Sequence, residues 1–571
     1  MWKWVASDAI NEGGAMKVTR RDLLAWSAGA AAGLLATPVP WKVLDDVSIW
    51  SQNWPWIPQP ARGPVEVKQS FCTLCPKGCG LRVRMAAGWA VGVAGSSTHP
   101  ISRGALCPLA FAAHQLNWHP QRLRSVCHGS NRSTWADAQA AFAHASKEGP
   151  LVVIDGYPGR AASSVLESFA EKQGGSYRVF APAELRALAS YERWTGIPAA
   201  SLGYDLENAN TVISFGAPLL DGWGTPGRFT RLWAERAAGM RDPQLRLIQI
   251  DSSLSRTAAR AWQWVEIREG SESALASGLA GALHEQNLVP AHSPVPSMTL
   301  AESAAQTGMS VERIRELARL VVAKTPALVI ARDDDPAVAA LNVLLGSLGK
   351  RGGIVRHSEQ VKPYVAAESV IGSARAVLID ASVPWDFVPQ TNAEIFRFAA
   401  WDGGGTKADW LLPAPGFLED LTDLPTAPGC SALTYGVAPA LVKATSEVQS
   451  AAQFLCSLDG SLPTTAKIID SRCQDLFRRR EGSVYAQEIF EMAKFTSVQT
   501  FKEQLLKGAV WAGEPTASPE FHCSLKEWPT RTRAVAAESW ATEWRAPVMP
   551  PLASKLYQES GLRESPSRRN A

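Results

Sequence analysis

The chain has 571 residues, a formal net charge of +3 and a pI near 8.3. That balance is too mild for a nucleic-acid binder, and Lys and Arg form no block before the C-terminal tail. With 46% hydrophobic and 19% charged residues the composition is that of a globular protein, and at roughly 100–200 residues per domain it implies several domains.

Residues 16–38 read MKVTRRDLLAWSAGAAAGLLATP. Lys17, Arg20 and Arg21 precede an apolar run, Leu23 to Ala36, closed by Pro38. The run stops short of the ~20 residues that a bilayer-spanning helix needs. Its layout is that of an export signal, and the paired arginines make it twin-arginine type. Such signals serve proteins that take up cofactors before export, so the expected location is the periplasmic side of the cytoplasmic membrane, peripheral or signal-anchored. The alternative is a buried amphipathic helix, which the lack of a polar face argues against.

A Trp- and Pro-rich linker follows at 45–65. The chain holds 22 Trp, several of them between Trp41 and Trp56. They read either as a surface for a partner or a membrane, or as loop residues folded onto the chain's own core.

Residues 66–125 contain Cys72, Cys75, Cys79 and Cys107 among short strand-like runs, Leu81–Arg84 and Trp89–Val93. Three thiols arrive on one tight loop with Pro76, Gly78 and Gly80, and the fourth returns from a distance, followed by Pro108. Four thiolates are the usual ligand set of a cubane [4Fe-4S] cluster. Structural zinc also takes four cysteines but more often pairs two short knuckles, so the triplet-plus-one spacing favours iron–sulfur. Cys127, Cys430, Cys456, Cys473 and Cys523 have no motif spacing. They read as plain thiols, or as disulfides in an exported chain. His99, before Pro100, caps a turn or serves the redox centre.

Beyond residue 150, apolar runs end in an acid or a glycine, Leu151–Asp155, Thr211–Gly216, Leu245–Asp251 and Ala376–Asp380, and Pro326–Ile330 reads as a further strand. Helical stretches 162–172, 227–238, 271–285, 310–324, 336–348 and 447–457 alternate with them. This pattern predicts parallel α/β sheets. Gly216 and Asp251 sit at predicted strand ends, where such sheets bind ligands. Glycine there admits a phosphate close to the backbone, and Arg228 and Arg256 offer it guanidinium partners. The plainer alternatives are a turn glycine, a helix-capping aspartate and surface ion pairs. The region 461–571 reads as irregular, with a disordered tail.

The Cys triplet, His99-Pro100, Gly104 and Cys107 together resemble the cluster domain of the molybdopterin oxidoreductases. In order along the chain, Tyr204–Asn210 with the strand to Gly216 is similar to that family's first pterin-contacting strand end. Ile250-Asp251 with Arg256–Ala258 and Arg268–Ser271 is similar to the second. Leu341-Asn342 through Gly346 and Gly352-Gly353 resemble its Gly-Gly turn, and Ala408–Pro413 with Phe417–Glu419 its later Ala-Asp-x-x-Leu-Pro segment. The resemblance covers roughly 66–460. It implies a small N-terminal iron–sulfur domain with short strands, then two interleaved parallel-sheet α/β domains over 126–460. It also implies a molybdopterin guanine dinucleotide site at Gly216, Asp251, Arg228 and Arg256.

Within the family, Ser48–Pro58, Cys72–Pro76, Cys107–Leu109, Tyr204–Ala209 and Asp221–Arg228 resemble the molybdopterin-like subunits of menaquinone reductase complexes, related to alternative complex III. Those subunits imply three partners: a ferredoxin-like iron–sulfur subunit, a multihaem cytochrome c and a membrane quinone-binding subunit.

Three departures stand out. Leu109 and Ala110 occupy positions where redox members carry Lys and Gly. No cysteine lies between Cys127 and Cys430, which removes a thiolate metal ligand there and leaves serine or aspartate open. The β-rich C-terminal cap is absent or reduced, with Met549–Tyr557 resembling its lead-in. The resulting expectation is an electron-transfer or scaffold subunit without molybdenum. The alternatives are a catalytic molybdenum subunit acting on an oxyanion or formate-like substrate, and a non-redox assembly scaffold.

Overall fold

The computed structural model describes residues 19–37, 40 and 64–513, except 221, 240–241, 358–363, 368–373, 385–386, 390, 402–407 and 445, together with 521, 523 and 525–529. The linker up to residue 63 and the tail from 530 lie outside the described residues.

The predicted signal run forms the helix Arg20–Ala36. Thr19 caps it: its hydroxyl accepts the Asp22 N–H, and the Asp22 carboxylate accepts the Thr19 N–H. No helix among the described residues is long and apolar enough to cross a membrane.

From Gly63 onward the chain forms one unit. It opens on an antiparallel sheet of Val65–Phe71, Gly80–Ala86 and Trp89–Gly95. In the middle strand Leu81, Val83 and Met85 turn inward while Arg82 and Arg84 face water, the period-two pattern of a one-sided sheet.

Two α/β layers follow, and they are interleaved as expected. A seven-stranded sheet runs in the spatial order Asn131–Arg132, Cys127–His128, Trp410–Pro413, Glu394–Ala399, Ala376–Ile379, Leu151–Asp155, Ser176–Val179. Its last five strands are mutually parallel. Between Val179 and Ala376 the chain leaves to build a fully parallel four-stranded sheet: Gln263–Glu266, Arg246–Asp251, Thr211–Phe215, Ala327–Ala331. Strands covered on both faces read as unbroken apolar runs, which is why they were visible in the sequence. In the first layer Phe142 meets Phe396 edge-on at 5.0 Å and Phe454 at 5.6 Å.

Other elements differ from expectation. The helix expected over 336–348 is Pro336–Leu344, and Gly346 then takes φ +65°. The Gly-Gly turn is a close approach: a Cβ at Gly352 would stand 2.8 Å from the Asn208 carbonyl oxygen.

The expectation of an irregular region from residue 461 fails over 465–512. There the helices Thr465–Arg479 and Val498–Leu506 pack on a five-stranded antiparallel sheet. Ser483–Tyr485, Ile489–Glu491 and Val510–Ala512 are each three residues long, too short to show a period. They join Thr434–Ala438 and Thr422–Leu424 from earlier in the chain. The cysteines are all free, so no disulfide contributes.

Buried polar groups tie the layers together. Arg122, near the end of the cluster domain, meets Glu419 at 2.5 Å and donates to the Ala400 and Ala414 carbonyls. Asn342 is fully buried beside the edge strand Ala327–Ala331. It exchanges hydrogen bonds with the Val329 N–H and carbonyl and donates to the Tyr191 hydroxyl. Asn342→Ala would strand the Val329 N–H and carbonyl, while the Tyr191 hydroxyl keeps its bond to the Ala339 carbonyl, at an expected cost of ~2–4 kcal/mol. A thermal melt of the folded chain checks this: the variant should unfold several degrees lower, whereas an unchanged melting temperature would mean that the strand edge is satisfied some other way.

Candidate iron–sulfur centre

The loop between the first two strands closes on itself. The Cys72 N–H donates to the Cys79 carbonyl at 2.8 Å, the Lys77 N–H donates to the Cys75 carbonyl at 2.8 Å, and Gly78 supplies φ +59°. Cys72 and Cys79 are buried, while Cys75 and Cys107 are half-buried. Cys107 is the N-cap of the short helix Pro108–Ala112, whose Ala110 N–H bonds the Cys107 carbonyl.

The returning segment is locked onto the loop. The Ser96 N–H donates to the Gly80 carbonyl, and the Gly80 N–H donates to the Ser102 hydroxyl. His99 Nδ1 accepts the Ser102 N–H at 3.1 Å. Burial pushes His99 down to about 3, so the ring is neutral and caps the turn. Of its two readings, the structure shows the capping one.

All four sulfurs sense one another. Burial, then Cys75, Cys79 and Cys107, push the Cys72 thiol well up. Burial and Cys107 push Cys75 up to about 11 against the opposing pull of Lys77. Burial, Cys75 and Cys107 raise Cys79. Backbone N–H groups oppose these shifts: Leu74 toward Cys72, Lys77 toward Cys75, and Gly227 toward Cys79. Among the described residues no three His, Cys, Asp or Glu side chains converge tightly enough to hold a single metal ion. Four soft thiols within electrostatic reach of one another, with amide donors at sulfur, fit a multi-iron cage.

Gly227 belongs to the helix Pro226–Arg236, whose first turn lies flush against the cluster domain. A Cβ at Gly227 would stand 2.6 Å from the Ala105 carbonyl oxygen. On the same helix Arg231 donates to the Ile101 carbonyl at 3.1 Å. Lys77, between the second and third cysteines, is buried and ion-paired with Glu184 in the first turn of the helix Ala183–Thr195. Sequence reasoning missed Lys77 and Glu184. A single lysine in a cysteine loop carries no signal of burial, and its partner lies far along the chain.

The residues expected at a dinucleotide divide. Gly216 has φ +68° at the end of Thr211–Phe215, and Asp251 ends the neighbouring strand, half-buried and with its carboxyl pushed up by burial. Gly216 edges the point where the four-stranded sheet reverses its strand order, between Thr211–Phe215 and Ala327–Ala331, while Asp251 ends the strand on the other side of Thr211–Phe215. Arg332 follows the second of these strands, and its side chain lies 3.7 Å from where a Gly216 Cβ would stand. Only the pairing of those two strands reveals it. Arg256 is exposed at the start of the helix Arg256–Arg260.

Arg228 does not fit the phosphate role. Its buried guanidinium pairs with Glu207 and donates to the Tyr204 carbonyl and the Ser431 hydroxyl. Despite burial, Arg228 and Arg231 hold the Glu207 carboxyl down to about 2. Cys430, fully buried, lies beside Arg228 and Lys77. Cys127 is half-buried, and His128 stacks on Trp410 at 4.3 Å.

Comparison with known proteins agrees with this arrangement. Residues 65–116 match the molybdopterin oxidoreductase Fe4S4 domain, which contains all four cysteines. The chain is 30% identical over 505 residues to the menaquinone reductase, molybdopterin-binding-like subunit of Nitratidesulfovibrio vulgaris (strain Hildenborough), covering 78% of this chain and 72% of that protein. It is 26% identical over 235 residues to a nitrate reductase of Klebsiella oxytoca, covering 38% of this chain and 26% of the relative. In fold it is similar to acetylene hydratase from Pelobacter acetylenicus, with a TM-score of 0.59 and 14% identity over 78% of this chain and 74% of that one. The chain therefore belongs to the molybdopterin oxidoreductase family, carries that family's [4Fe-4S] domain, and is related to its redox-complex subunits.

Proposed function

We propose that this chain is an electron-transfer subunit of a periplasm-facing, quinone-linked redox complex and works without molybdenum. The observation that carries the reading is the buried four-thiol centre, closed by amide donors from its own loop and from the Pro226–Arg236 helix. When bound, the cluster would supply one-electron transfer. The residues present do the rest. Cys72, Cys75, Cys79 and Cys107 would hold the cage, burial of Cys72 and Cys79 shields that side from water, and N–H groups stabilise charge on sulfur.

The absence of molybdenum chemistry rests on sequence and geometry together. Leu109 and Ala110 follow Cys107 where redox members carry Lys and Gly, and Arg228 is committed to Glu207. The quinone link rests on likeness to a protein named menaquinone reductase. By that resemblance the partners are a ferredoxin-like iron–sulfur subunit, a multihaem cytochrome c and a membrane quinone-binding subunit. The Arg20–Ala36 helix with its paired arginines is the export element in this reading.

Metal and pterin analysis of the complex purified from its native membrane tests the proposal. Iron and acid-labile sulfide in the ratio of one cubane per chain, with molybdenum and pterin far below stoichiometry, are expected. Stoichiometric molybdenum would establish a catalytic subunit instead, and absence of iron a purely structural one. Single Cys→Ser changes at 72, 75, 79 and 107 should each lose most of the iron and the visible charge-transfer absorbance, whereas Cys127→Ser and Cys456→Ser should retain both. Equal loss from Cys127→Ser would reassign the ligand set.

A further inference from the structure

Lys77 is a buried cation inside the ligand loop. It follows Cys75 by two positions and precedes Cys79 by two, in the segment Cys75-Pro76-Lys77-Gly78-Cys79. Its side chain is only 7% exposed and that of its partner Glu184 only 3%. No water shell screens either charge, so each acts at short range in a medium of low dielectric. The ammonium interacts with Cys75, then with Cys430 and Cys79.

An ion pair placed there has a direction. The positive end sits in the cluster loop, and the negative end sits in the first turn of the Ala183–Thr195 helix, where the N-terminal amides also favour it. Burying such a pair costs desolvation that its mutual attraction does not generally recover. A purely apolar contact between loop and helix would join the domains at less cost. What an apolar contact cannot supply is a fixed charge beside the sulfurs. Reduction adds one negative charge to the cage, and net charge near the sulfurs is among the determinants of a cluster's potential.

We propose that Lys77, oriented by Glu184, sets the reduction potential of the four-cysteine centre by stabilising its reduced form. The proposal rests on the cluster reading above and adds a specific determinant of potential. Lys77 is in this sense a positioning charge and not a ligand.

A mediated redox titration of the iron-loaded protein, followed by electron paramagnetic resonance, tests it. Lys77→Met should disfavour reduction at least tenfold, which for one electron is a midpoint about 59 mV more negative. Lys77→Arg, which keeps the charge, should stay near the parent value. Glu184→Gln removes the compensating carboxylate and should shift the midpoint in the opposite, positive direction. That variant also carries the test if Lys77→Met does not retain its iron. An unchanged midpoint in iron-replete Lys77→Met, or a negative shift in Glu184→Gln, overturns the proposal and leaves the cluster standing. A parent protein with iron absent and no reducible signal removes the cluster reading itself, and this proposal with it.

Discussion

Four sulfurs that must carry negative charge cannot be buried side by side without compensation. Desolvation and Coulomb repulsion push the Cys72, Cys75 and Cys79 thiols upward. Iron supplies most of the compensation when bound. The protein supplies the remainder in advance: amides from Leu74 and Lys77 within the loop, the Gly227 amide from another domain, and the Lys77 ammonium. Much of the rest of the architecture serves to bring those groups to the loop and hold them there.

That requirement explains the interleaving. The cluster domain on its own is a three-stranded sheet and two short helical turns, too little to bury a charged cage. Its walls come from elsewhere in the chain. The Pro226–Arg236 helix presents Gly227 and Arg231, the Ala183–Thr195 helix presents Glu184, and Arg122 reaches Glu419 across the seven-stranded sheet's margin. Each is a polar tie through buried space, and each requires its partner at a fixed distance. Conformational freedom lost by one domain is therefore lost by its neighbours, which keeps the ligand geometry rigid. Arg228 illustrates the same economy. A guanidinium that could have met a phosphate is held instead by Glu207, Tyr204 and Ser431, binding the start of that helix to the rest of its layer.

Much of the fold was legible because its strands are buried on both faces. Leu151–Asp155, Thr211–Phe215 and Ala327–Ala331 are buried throughout and mostly apolar. The 465–512 region was not legible. Its three-residue strands have no period of their own and gain identity only by pairing with Thr434–Ala438. The four-cysteine pattern was legible for a different reason. Thiol chemistry is distinctive, and three cysteines in one loop with a fourth close behind have few other uses.

The sequence by itself determined the four-cysteine spacing, the α/β class, the order of the main strands and the family resemblance, because each is written in local spacing and residue type. Tertiary structure alone decided which charges surround the centre. Glu184 and Gly227 lie far along the chain from the cysteines, and Arg332 reaches Gly216 only because two parallel strands pair. Electrostatic environment is a property of distances in space, and in an interleaved fold those distances bear no relation to separation along the chain.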